Sequence, residues 1–377
     1  MFVIAGCGRN ENESLYSNVI VEEGIPHLYN PSEPLWGSQY KPLTEEEVLG
    51  GPGSPEDAIF SRPCAVEFGH DGSRYVLDQN EARIVRYGPD GRFMGSFGRK
   101  GEGPGEFDEP TDLEQLPDGT LVVTDWSGMR ISFFSAEGDF IRSFRRQKFS
   151  GQVAISRENR INIHEQPRTL GAMGMFVGGM EEEEEVEPLI DVVDSDGEEI
   201  GRMGQLVPFE GNLLSAWMNH VYLDFVPGDS LIANFMGNDR IEIYEPGENL
   251  VRVVHRNVPF TPIEPVEETD YRDDGVIAMR FEFDILSTGL AVHPDGRYWA
   301  VMVAAGEPDR QTGIEEEEMI PQPWALDLYD RMGRWLARQQ MDESARHALL
   351  DWGPDGLYLI SSEGDGTIRR YSVKPPN

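Results

Sequence analysis

Residues 61–97, SRPCAVEFGHDGSRYVLDQNEARIVRYGPDGRFMGSF, align without a gap on residues 108–144, DEPTDLEQLPDGTLVVTDWSGMRISFFSAEGDFIRSF. Pro63 falls on Pro110, Asp71-Gly72 on Asp118-Gly119, Asp78 on Asp125, Arg83-Ile84 on Arg130-Ile131 and Gly91 on Gly138, each pair 47 residues apart. A fixed period of about 40–50 residues marks stacked supersecondary units. Each copy reads as four strands. A short apolar strand (CAVEF, TDLEQL) meets an Asp-Gly turn of the kind that reverses a hairpin. A β-rich strand follows (RYVLD, TLVVTD), then a polar turn ending in Arg, a third strand (RIVRY, RISFF), a Gly-containing turn and a fourth strand (FMGSF, FIRSF). Four antiparallel strands per unit make one propeller blade.

Four weaker units continue the series at 151–204, 219–254, 287–338 and 347–373. The last stops after its third strand. An unpaired edge leaves the ring open, so a strand from roughly residues 14–40 is expected to complete it. The expected fold is all-β: a six-bladed β-propeller of four-stranded antiparallel blades, closed by an N-terminal strand. The expected organisation is a truncated signal or tether at 1–13, a ring-closing segment at 14–60 and the propeller at 61–377, one domain with 14–60.

The stretch GRKGEGPGEFDEP (98–110) offers a choice between a phosphate-wrapping loop and a link between blades. Shifted back by 47 it lands on GPGSPEDAIFSRP (51–63), with Gly98 on Gly51, Phe107 on Phe60 and Pro110 on Pro63. A P-loop needs G-x-x-x-x-G-K-[ST] opening a helix. Lys100 has no following Ser or Thr, and no helical pattern follows. The stretch reads as the inter-blade link, with Phe60 and Phe107 plugging the gaps between blades.

The string G-x-G-P-G-E-F-x-x-P, D-G-x-x-x-V-x-D, R-I-x-x-F resembles the NHL repeat, and the whole chain is similar to six-bladed propeller lipoproteins of bacterial envelopes. The resemblance is strong over 51–144 and thin beyond it. It implies the fold well and an activity poorly, since one fold hosts many functions. At the start of the chain, Ile4-Ala5-Gly6-Cys7 resembles a lipobox, with Cys7 the residue that would be lipidated. Only six residues precede it, fewer than a signal peptide needs. The expected location is therefore the bacterial envelope, lipid-anchored, if the true start lies upstream, and the cytoplasm if Met1 is the start.

Composition excludes several classes. The net charge of −36 repels nucleic acid and anionic lipid. No run of eighteen apolar residues occurs, so no helical membrane span is expected. Cys7 and Cys64 form no CxxC or zinc spacing. No G-x-S-x-G elbow or HExxH motif occurs.

Candidate site residues fall in two groups. Asp78, Arg83, Asp125, Arg130 and Arg240 recur per blade and read as structural braces of the turn between second and third strands. Glu67, Glu114, Asp224 and Asp351 occupy one equivalent inner-strand position in four blades, with Ala154 and Ala291 in the other two. If they lean to the axis they form a carboxylate ring, able to hold calcium or another hard divalent cation or to raise one another's pKa. Two acid runs, 181–187 and 315–318, fall between second and third strands. His164 and His220 could reach the same face, while His70 and His293 sit in Asp-Gly turns. The leading expectation is a monomeric, noncatalytic, envelope-anchored module. It would have no obligatory cofactor and would bind a protein, peptide or glycan at the face carrying the acid runs. The alternative is a metal-dependent lyase or hydrolase with a cation in the central channel.

Overall fold

The computed structural model describes residues 18–51, 54–55, 58–166, 188–207, 209, 212–247, 249–271, 277–307, 323–342, 348–361 and 366–376. Three strands precede the repeats: β1 (Asn18–Glu22), β2 (Ile25–Tyr29) and β3 (Leu43–Leu49). The first blade is β4 (Pro63–Phe68), β5 (Arg74–Asp78), β6 (Arg83–Tyr87) and β7 (Phe93–Phe97); the second is β8 (Pro110–Gln115), β9 (Leu121–Asp125), β10 (Arg130–Phe134) and β11 (Phe140–Arg145). The third holds β12 (Phe149–Ile155), β13 (Ile161–Gln166), β14 (Ile190–Val193) and β15 (Glu199–Met203). After helix α1 (Asn212–Met218) the fourth holds β16 (Val221–Val226), β17 (Ser230–Phe235), β18 (Arg240–Glu245) and β19 (Asn249–His255). A hairpin, β20 (Val266–Tyr271) and β21 (Ile277–Glu282), leads to the fifth blade: β22 (Ser287–Val292), β23 (Tyr298–Ala304), β24 (Trp324–Asp330) and β25 (Trp335–Gln340). The sixth is β26 (Leu349–Gly353), β27 (Gly356–Ile360), β28 (Ile368–Val373) and β3.

The inner strands β4, β8, β12, β16, β22 and β26 each neighbour the next, and β26 returns to β4. The ring is closed, as the repeat predicts. The closing strand lies within the expected segment 14–60 but beyond the narrower range of 14–40. It is Leu43–Leu49, paired antiparallel with β28 from Leu43↔Val373 to Leu49↔Ile368. Residues 18–29 pair elsewhere. β1 and β2 form a hairpin, and β2 adds parallel to β19 on the outside of blade four. From there the chain runs across blade five, where the Leu35 and Trp36 amides donate to the Trp335 and Leu336 carbonyls at 3.0 and 2.8 Å. It then enters blade six as β3.

The core lies between blades. Tyr75, Leu77 and Ile84 of blade one pack on Leu113, Leu121 and Phe134 of blade two, with Phe107 wedged among them and fully buried. Burying such a ring is worth about 1.5–3 kcal/mol. Two glycines make room for the plugs. Gly98 (φ +86°) lies so close to Phe107 that a Cβ would sit 2.5 Å from the ring, and Gly50 (φ +79°) stands at 2.2 Å to Phe60 in the same way. The partner of Gly98 is therefore Gly50 rather than Gly51, a one-residue slip that a gapless alignment cannot show.

The two faces differ. Connections between first and second strands, and between third and fourth, are tight turns on one face, here the flat face. Connections between second and third strands, and between blades, start from the other, among them the described segment with α1 and the β20–β21 hairpin. Both acid runs, 181–187 and 315–318, lie outside the described residues, as does Cys7.

Candidate functional site

The inner strands surround an axial cavity of about 400 Å³. Glu67, Glu114, Asp224 and Asp351 all line it, so the four equivalent positions are brought together. A fifth carboxylate, Asp112, joins them. It aligns with Ala65 in the repeat and so does not recur. The available signal was its place two residues before Glu114, on the same face of a strand.

Burial is the main cause that raises the pKa of each group. Asp112 and Asp224 are pushed up to about 7, although each accepts two backbone amides that act the other way. Asp112 accepts from Val153 at 2.8 Å and from Leu113 at 2.9 Å. Asp224 accepts from Val292 and from Phe225, both at 2.6 Å. Glu67, Glu114 and Asp351 are held well above the carboxylate range, first by burial and then by the charges of their neighbours. Glu67, Glu114, Asp224 and Asp351 keep partial exposure because they face the cavity. Among the described residues no Lys or Arg pairs with any of the five.

These acids sit near the flat-face ends of their strands. Phe68, Gly69, Pro294, Trp352 and Pro354, at that end, complete the lining. Cys64, Gly289 and Leu349, toward the other ends of their strands, line it as well. Among the described residues no three His, Cys, Asp or Glu are grouped closely enough to hold one metal ion.

The brace residues divide. Asp78 accepts the amides of Ser61 and Arg62 at 3.1 and 2.9 Å and lies 3.6 Å from Arg83. Asp125 accepts those of Asp108, Glu109 and Gly128 at 2.9, 2.8 and 3.0 Å and pairs with Arg130 at 3.0 Å. Both carboxylates thus also hold the link that enters the blade. Arg240 departs from the pattern. The place of the aspartate is taken by Phe235, over which Arg240 stacks at 5.1 Å, and its carboxylate partner is Glu242 on its own strand.

Arg130 also settles the glycine-rich link. Its guanidinium donates to the carbonyls of Gly101, Glu102 and Glu106 at 3.1, 2.8 and 2.6 Å. The loop turns carbonyl oxygens inward onto a cation, the reverse of the amides a phosphate requires. Lys100 is exposed and pairs with Asp108 at 3.0 Å.

Among the described residues no histidine lines the cavity. His164 and His220 meet edge to face at 5.3 Å near the insertion-face end, with burial lowering their pKa to about 4 and about 3. His164 Nδ1 bonds the Leu189 carbonyl at 3.0 Å. His293 pairs with Asp295 in its turn at 2.6 Å. Cys64 is a buried free thiol on the cavity wall, and burial raises its pKa.

No family profile matches the chain, and no curated relative matches it by sequence. Solved structures do resemble it. A member of the DUF4221 family from Bacteroides vulgatus superposes with a TM-score of 0.57 at 12% identity, covering 89% of this chain and 98% of the other. A Bacteroides fragilis protein named as exported also gives 0.57, at 10% identity, covering 93% and 100%. A virginiamycin B lyase from Staphylococcus aureus gives 0.49 at 8% identity, covering 88% and 100%, a likeness too loose to carry an activity. These likenesses are of fold. Among the described residues no helix is long and apolar enough to cross a membrane.

Proposed function

We propose that the chain is a noncatalytic binding propeller of the bacterial envelope. Its axial cavity would take a cationic organic group, the side chain of lysine or arginine or a terminal amine, presented by a protein or peptide at the flat face. The observation that carries this reading is the convergence of five carboxylates that no described cation of the chain neutralises. Volume and wall chemistry agree. About 400 Å³ lies within the range of small-ligand sites, and Phe68, Phe225 and Trp352 offer apolar surface beside the acids. Such a wall suits a charge on a hydrocarbon arm better than a bare ion. The net charge of −36 steers cations inward. An envelope location is supported by Ile4-Ala5-Gly6-Cys7 and by the fold shared with a protein named as exported.

The test is calorimetric titration with tetralysine and with its fully acetylated form, on the wild type and on Glu67→Gln/Glu114→Gln. Removing two of these charges takes the net charge from −36 to −34, so diffuse attraction is almost untouched. Site binding predicts loss on acetylation and at least tenfold weakening in the variant. Equal binding by variant and wild type sinks the reading.

A second reading, a lyase or hydrolase, draws on Asp112 and Asp224 near 7, where one carboxyl can give a proton and another accept one. With calcium or another hard cation it would need the ring acids to move together around the ion. A calcium-dependent rise in melting temperature that Glu67→Gln/Glu114→Gln removes would favour it. No such rise would count against a metal-dependent form.

A further inference from the structure

The N-terminal hairpin is weakly held except at one point. β1 is exposed along its whole length, with Val19, Ile20 and Val21 at 59, 48 and 45%. β2 meets β19 through three paired residues, Val253↔His27, Val254↔Leu28 and His255↔Tyr29. Leu28 is the one buried residue of the hairpin, packed in the cluster that contains Val254. Hairpins with so little buried surface open locally at low cost.

We propose that this hairpin is an acid-released latch on blade four, with His27 and His255 as its catch. His27 Nδ1 lies 3.1 Å from His255 Nε2, and His255 Nδ1 lies 3.2 Å from Asp239 Oδ2. Tyr29 stacks on His255 at 4.2 Å and 2°. Two neutral imidazoles share one hydrogen across the 3.1 Å contact, one nitrogen donating to the lone pair of the other. A first proton is accommodated by reversing that bond. A second proton points two N–H groups at each other with no acceptor between them.

The charged surroundings do not rescue the doubly protonated pair. Glu22 of β1 stands 4.0 Å from His27 Nδ1 and also accepts the Tyr29 hydroxyl at 3.3 Å. Asp239 faces His255, with Arg256 acting on Asp239 in turn. Arg240 opposes charge on His27. Toward blade five the Asn30 amide donates to the Gly333 carbonyl at 3.0 Å, and the Arg252 guanidinium of β19 donates to the Met332 carbonyl at 3.1 Å. The net result is a lowered pKa for His27, first from burial, with Glu22 opposing and His255 and Arg240 adding.

The sign follows. A histidine lowered in the latched state leaves the latch at full strength above about 6.5 and weakens it as pH falls below that. The released hairpin takes up the proton that the latched one refuses. Each such proton shifts opening by up to about tenfold per pH unit. Release frees the chain before residue 30 and bares the outer edge of β19.

Hydrogen exchange at pH 7.5 and 5.5, corrected for intrinsic rates, tests this in the full chain. Peptides covering 25–29 and 253–255 should lose protection by about tenfold at pH 5.5, while β9 (121–125) should not. His27→Asn keeps an amide near the Nδ1 position and cannot take a proton, so it should hold its protection at pH 5.5. Equal protection at both pH values in the wild type overturns the latch. So does parallel loss in β9, or loss in His27→Asn as large as in wild type. The wild-type comparison stands by itself if the variant does not fold.

Discussion

Asp112 of the second blade accepts the backbone amide of Val153 of the third at 2.8 Å, across the seam between two inner strands. Asp224 repeats the arrangement toward Val292 of the fifth blade at 2.6 Å. The cavity acids are thus divided in role. Two staple seams while they line the cavity, and Glu67 and Glu114 line it without a cross-seam bond.

That division predicts a contrast in stability. Asp112→Ala strands the buried Val153 amide and should cost about 1–3 kcal/mol in urea unfolding. Asp112→Asn keeps an acceptor and should cost less. Glu114→Gln should leave the urea midpoint unchanged or raise it, because it removes a charge that its neighbours oppose.

The same acids set a pH dependence. Their folded pKa values are raised, so their contribution is fully present below the unfolded values near 4 and is lost as pH rises through the folded ones. For Asp112 and Asp224 that loss runs from about 4 and ends a little above about 7. Between pH 6.5 and 8.0 the melting temperature should therefore fall as pH rises. His164 and His220, lowered to about 4 and about 3, act in the opposite sense but only below about 6.5. Glu67→Gln/Glu114→Gln should flatten the slope in that window; an unchanged slope would place its source outside the cavity.

Arg130 and Lys100 should behave oppositely despite their closeness. Arg130→Ala leaves the buried Asp125 without its cation and frees three loop carbonyls. It should cost about 3–5 kcal/mol in chemical denaturation. Lys100→Ala removes an exposed pair and should fall within about 0.5 kcal/mol of wild type. A large effect at Lys100 would contradict the structural role given to the link.

Truncation should separate strap from closure. A chain beginning at residue 30 loses the β1–β2 hairpin and should remain a closed, less stable ring. A chain beginning at residue 51 loses β3 and leaves β28 as a bare edge, which should drive aggregation. Size-exclusion chromatography and circular dichroism of the two chains read the difference.

The blade plan was legible because the outer, tight-turned units repeat at 47 residues with their Asp-Gly, Asp and Arg markers intact. The closing strand was not, for a physical reason. LTEEEVL carries three glutamates in a row and looks less strand-like than NVIVE or IPHLY. The outermost strand of a blade is exposed on most of its surface and needs few apolar residues. It is set in register by Leu43 and Leu49, and by Glu45 and Glu47 against Arg369 and Arg370 at 3.1 Å each. The four recurring cavity acids were legible from the repeat, whereas Asp112 was hidden because it breaks the repeat.

The path of the first fifty residues has a mechanical meaning. A pull on Asn18 first unzips β1 from β2, then β2 from β19, then the bonds to Trp335 and Leu336, and only then loads β3. Residues 18–29 release about 40 Å of chain on the way. The segment acts as a strain relief, like the slack clamped ahead of a plug. Tension on the N-terminus is spent at the rim of blade four before it can reach the seam that keeps the ring shut.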